Sequence, residues 1–161
     1  MKMLKLFAAS LLASAALLAQ SVTVSGEYVR EVPPNMPNSA AFMVLKNDSD
    51  ATVSLVSAAS DAAATVELHE HASVGGMMQM RQIPKIDVPA HGTTSLQPGG
   101  LHVMLIGLTH KLKAGEEVAI TLTFSNGETI ALKAPVKKVP GMMMHKGMSG
   151  SGKCGKGKCG N

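Results

Sequence analysis

Residues 97–105 read QPGGLHVML, a turn followed by an apolar run. The proline presets one backbone angle and the glycines accept left-handed ones, which is the composition of a tight turn. Beyond it, His102 and Met104 fall on one side of an extended chain, and Val103 and Leu105 on the other. This is a short strand leaving a tight turn, with one apolar face and one face carrying donor atoms. The His/Met pair is either a product of core packing or half of a site.

The same grammar extends outward in both directions. No stretch between residues 21 and 135 sustains a helical period. Short β-branched, alternating runs predict strands over 22–30, 40–46, 52–58, 65–70, 77–81, 85–88, 94–96, 102–107, 117–124 and 129–133. Turn-forming segments separate them: NDSD at 47–50, PAHG at 89–92 and SNGE at 125–128. The last holds Asn126-Gly127, a strong hairpin signal. Many short strands with frequent turns predict an all-β, Greek-key sandwich or barrel of roughly 110 residues.

The ends read differently from the body. Lys2 and Lys5 precede an apolar run from Leu6 to Leu18 that ends in small residues, the pattern of a bacterial secretory signal peptide over residues 1–20. Cleavage is expected near Gln20 or Ser21, with Ala15 or Ala16 as alternatives, and the compartment is expected to be the periplasm. The β-rich body is expected over 21–134, and residues 135–161 are expected to form a disordered Gly-, Lys- and Met-rich tail. The chain carries +4, and loss of Lys2 and Lys5 leaves about +2. With no Trp, one Tyr and no basic face with stacking partners, nucleic-acid binding is excluded.

Methionine is the unusual residue, with twelve in 161. Core filling accounts for some of them. It does not account for the clusters at Met77, Met78 and Met80 and at Met142, Met143, Met144 and Met148. In the body, His69, Met80, His102 and Met104 could form a centre of two imidazoles and two thioethers. Thioether sulfur is soft and neutral and prefers Cu(I), and imidazole also binds copper. Zinc sites favour thiolates, histidines or carboxylates. The body has no cysteine, which excludes a blue-copper centre. No Ser/His/Asp or Cys/His arrangement suggests an enzyme.

The four residues are spaced H-x10-M-x21-H-x-M, and around them lie VELHE, GGMMQMR, PPNMPNSAAFMVLKN and VPAHGTTSLQPGGLHVMLIGL. This pattern resembles the PCu(A)C periplasmic copper chaperone family over about residues 22–134. The resemblance implies a cupredoxin-like β-sandwich holding Cu(I) at one end through His69, Met80, His102 and Met104. It also implies copper delivery toward the CuA centre of a haem–copper oxidase subunit, often beside a Sco-type thiol protein. A monomer is expected. The rival reading is periplasmic copper buffering or resistance.

Neighbouring residues are assigned lesser parts. His71 shares a face with His69, and Met78 with Met80, so either could substitute as a ligand or sit beside one; His71 is expected to be a solvated neighbour, and Met78 to pack beside Met80 or shield it. Glu67 or Glu70 could orient His69, although solvated surface is the expectation for both. His91 and His110 are expected to be exposed. In the tail, Met142, Met143, Met144, His145, Met148, Cys154 and Cys159 form a candidate second site for Cu(I), or for Cu(II) through His145. Cys154 and Cys159 could instead form a disulfide or, in a third reading, a thiol oxidoreductase pair.

Overall fold

The computed structural model describes residues 20–139. Residues 1–19 of the expected signal segment and the candidate tail-site residues from Met142 to Cys159 lie outside the described residues. All ten expected strands are present. β1 (Val22–Arg30) pairs antiparallel with β2 (Asn38–Asn47). β3 (Val53–Ala59) lies between β9 (Glu117–Phe124) and the short β6 (Ile86–Val88). β4 (Ala63–Val74) and β5 (Met77–Gln82) form a hairpin, and β4 also pairs with β8 (His102–Leu108). β7 (Thr93–Leu96) joins β2, and β10 (Thr129–Lys137) joins β9. The order is β5-β4-β8-β2-β1-β10-β9-β3-β6, and among the described residues there is no helix.

A parallel pairing of β1 with β10, at Val29 with Val136, links the two halves of this path. The halves enclose one core, in which Leu45, Val103 and Leu105 meet Leu55, Leu122 and Phe124. Each such side chain stabilises the fold by about 1.5–3 kcal/mol through removal of apolar surface from water. Alternation then decides what remains outside. In β8, Val103 and Leu105 are fully buried in the core, so His102 and Met104 occupy the opposite face.

Several strand ends differ from the sequence expectation by a residue or two, and two differ by more: β4 runs from Ala63 to Val74 rather than over 65–70, and β10 is longer at its C-terminal end. β10 runs through Pro135 to Lys137 rather than ending at 133, so the body extends past 134. Val136 is 2% exposed, its amide donates to the Glu116 carbonyl at 2.7 Å, and it pairs with Val29. Pro135 lies opposite Glu117. The parallel partner strand, more than a hundred residues earlier, supplies the burial that extends the element.

The turn at 97–100 divides what would otherwise be one long strand. β7 pairs with Met43–Lys46 of β2, and β8 pairs with Asn38–Ala41 on the same side. Gly99 takes φ +82°, a left-handed value that costs other residues about 1–2 kcal/mol. The result is that His102 begins β8 beside Phe42, with the turn directly against β4.

Candidate metal centre

Strand register gathers the candidate residues on one face. His69 pairs with His102, and Glu67 with Met104. On the other side of β4, His71 pairs with Met80 and His69 with Gln82. Residues directly opposite in antiparallel strands share a face, and diagonal neighbours lie about 7–8 Å apart. His69, His71, Met80, His102 and Met104 are therefore neighbours across three strands. Their connectivity depends on Gly75 and Gly76, both at positive φ, which close the β4–β5 hairpin with a two-residue turn.

The imidazoles are close together. The His69 and His102 ring centroids are 5.8 Å apart, and those of His71 and His102 are 5.2 Å apart. An ion about 2.0 Å from a ring nitrogen lies roughly 3.2 Å from the ring centroid, so two imidazoles on one ion have centroids at most about 6.4 Å apart. Both pairs lie within that limit. Phe42, with its ring 6.2 Å from that of His102, forms one wall.

Hydrogen bonds fix which nitrogens are free. His102 is 1% exposed, and its Nδ1–H donates to the Gly100 carbonyl at 3.1 Å. That acceptor requires the proton on Nδ1 and leaves the Nε2 lone pair unprotonated. His69 Nε2–H donates to Glu67 Oε2 at 2.7 Å, which frees Nδ1 in the same way. Among the described residues, the buried side-chain nitrogens without a hydrogen-bond partner are His69 Nδ1, His71 Nδ1 and His102 Nε2. Buried polar atoms are seldom left unpaired, and each one requires an explanation. Here all three are imidazole nitrogens on one face, and a metal ligand is the role each lacks.

Burial also holds the His102 pKa below its usual value. Desolvation is the main cause, the Gly100 hydrogen bond opposes it, and the charges His71 and His69 can carry add to the lowering. A neutral imidazole is the form that binds metal. The thioethers are more open. Met104 is half-buried and Met80 is 46% exposed, so one side of the site faces solvent. As the side chains stand, no three His, Cys, Asp or Glu residues among those described converge closely enough to hold an ion. Closure requires thioether donors or a turn of one ring about its side-chain bonds.

Four neighbours differ from the sequence expectation. Glu67 is not simply solvated surface, since its carboxylate orients His69. Glu70 instead pairs with Arg81 Nε at 2.6 Å. His71 is half-buried rather than solvated, because the 97–100 turn packs against β4 and its amide donates to the Gly100 carbonyl at 3.2 Å. Met78 is 63% exposed on an edge strand and is not packed. His91 is exposed as expected and lies 2.6 Å from Asp50. His110 is also exposed and lines a cavity of about 290 Å³ with Pro33, Met36 and Leu108. That cavity adjoins the far end of β8, about 20 Å along the strand from His102.

The fold and this face together define an all-β, cupredoxin-like domain of the kind seen in PCuAC copper-binding structures. The copper-bound PCuAC domain from PmoF2 matches at TM-score 0.64 and 18% identity, over 74% of this chain and 95% of that one. The solution structure of CuI-DR1885 from Deinococcus radiodurans matches at TM-score 0.62 and 44% identity, over 77% of this chain and 83% of that one. The chain belongs to the family described as "Putative lipoprotein LpqE-like", whose model matches residues 22–136. A relative from Leifsonia xyli subsp. xyli, "Putative lipoprotein Lxx21020", is 38% identical over 124 residues, which is 76% of this chain and 74% of its own length. Among the described residues, no helix is long and apolar enough to cross a membrane.

Proposed function

We propose that this protein is an exported, periplasmic copper metallochaperone rather than an enzyme. It binds Cu(I) through His69, Met80, His102 and Met104 and delivers it toward the CuA centre of a haem–copper oxidase, directly or through a Sco-type thiol protein. The observation that carries this reading is the set of unpaired, buried imidazole nitrogens beside Met104 and Met80. The 44% identity to a protein solved as its Cu(I) form supports it. Two neutral imidazoles and two thioethers suit the soft, monovalent ion.

Transfer would proceed by ligand exchange. Met80 lies on the edge strand at 46% exposure, so it is the donor an incoming thiol or imidazole displaces first. His102, at 1% exposure, is the last to let go. Anaerobic Cu(I) titration against a chromophoric chelator tests the site. The full chain should hold Cu(I) tightly, and His102→Ala should weaken binding by orders of magnitude while the domain stays folded. Unchanged affinity in a folded variant refutes the assignment.

Copper buffering is the second reading. It is favoured by exposed Met77 and Met78, at 66% and 63%, next to the centre. A deletion strain separates the two readings. Delivery predicts loss of oxidase activity at low copper, and buffering predicts loss of survival at high copper.

A further inference from the structure

The Cu(I) assignment uses two imidazoles, and the same face carries a third. His71 is closer to His102 than His69 is, at 5.2 Å against 5.8 Å between ring centroids. Its Nδ1 is buried and unpaired, like the free nitrogens of the other two. The Gly100 carbonyl accepts both the His71 backbone N–H and the His102 ring N–H, so a single backbone oxygen fixes the two residues relative to each other. Across the strand from His71 lies Met80, the most exposed of the four proposed Cu(I) donors.

We propose that His71 is a third imidazole ligand recruited by Cu(II), so that His69, His71 and His102 hold the divalent ion while the thioethers serve the monovalent one. The proposal rests on the reading of this face as a copper site. Its chemical basis is ligand preference: Cu(II) favours nitrogen and oxygen donors and gains little from thioether sulfur, whereas Cu(I) favours the soft donor. The three rings do not close around one point as they stand, and recruitment requires a turn of the His71 ring. That ring is half-buried and flanked by a solvent-exposed edge strand, so it has room to turn. Each ion enters in the oxidation state in which it is supplied, and no electron changes hands.

The test uses the full chain with His145→Gln, Cys154→Ser and Cys159→Ser, because tail thiols would reduce Cu(II) and His145 would compete for it. One equivalent of Cu(II) sulfate is added, affinity is measured by chelator competition, and bound imidazole nitrogens are counted by pulsed electron paramagnetic resonance. Cu(I) affinity is measured in parallel under anaerobic conditions. His71→Gln should weaken Cu(II) binding at least about 100-fold and remove one coordinated imidazole, with Cu(I) affinity changed less than about threefold. His71→Phe, which keeps the bulk of the ring, should give the same result if the glutamine variant folds poorly. Met80→Leu should do the reverse, weakening Cu(I) and sparing Cu(II).

An unchanged Cu(II) affinity and spectrum in the His71 variants overturns the proposal, as does an equal loss for both ions. A parent that takes up Cu(I) but not Cu(II) also overturns it while leaving the chaperone reading intact. A parent that takes up neither ion removes the copper-site reading itself.

Discussion

Replacing Glu67 with alanine should weaken Cu(I) binding without unfolding the domain. Glu67 Oε2 lies 2.7 Å from His69 Nε2, with the two side chains 26% and 14% exposed. The carboxylate therefore fixes the tautomer that presents Nδ1 to the site. Loss of such an orienting partner costs about 10–100-fold in metal affinity, or about 1.4–2.7 kcal/mol. Glu67→Gln retains an acceptor oxygen and loses only the charge, so its loss should be smaller, less than about tenfold. The assay is anaerobic chelator competition on both variants, with the His69 tautomer read from imidazole nitrogen shifts by NMR. If Glu67→Ala binds Cu(I) within about twofold of the parent, the hydrogen bond has no role in the centre and the reasoning fails.

Three further outcomes concern stability. Ending the chain after residue 134 deletes Val136 and the bonds Val136 N to Glu116 O, Gly115 N to Val136 O and Glu31 N to Lys137 O, a loss of about 3–7 kcal/mol. A chain ending at 139 should match the body of the full protein in urea denaturation, and equal midpoints for the two truncations would contradict the extent of β10. Gly99→Ala should cost about 1–2 kcal/mol because φ is +82°. Gly100→Ala, whose added carbon would meet Gln97 atoms at 3.6 and 3.7 Å, should cost less than half as much; equal costs in thermal melts would contradict the turn geometry.

Apo stability should also fall in two steps as pH drops. The folded His102 pKa lies below 6.5 because of burial, so the unfolded chain takes up a proton the folded one refuses. Stability present above about pH 6.5 is lost below it. Burial raises the Glu128 pKa, but hydrogen bonds from Ser21, Asn126 and Val22 outweigh that and hold it below 4.5. Its contribution is present above that value and is lost as pH falls through the folded pKa. Denaturation midpoints across pH 8 to 3 measure both steps, and His102→Gln should abolish only the upper one.

The existence of every strand was legible in the sequence because alternation with period two is local. Residues 22–30 and 117–124 were read to the residue. The sharing of a face by His102 and Met104, and by His69 and His71, was legible for the same reason. Burial was not, because it depends on strands distant in sequence. His71 reads as solvated until the 97–100 turn packs on β4, and residues 135–137 read as tail until β1 covers Val136. The free nitrogens of His69 and His102 likewise depend on which acceptor each ring meets, a carboxylate two residues away and a carbonyl in a turn. Composition and spacing alone determined a β-sandwich with soft donors at set intervals. Only the tertiary structure decided which donors meet, because strand pairing joins residues that no local period connects.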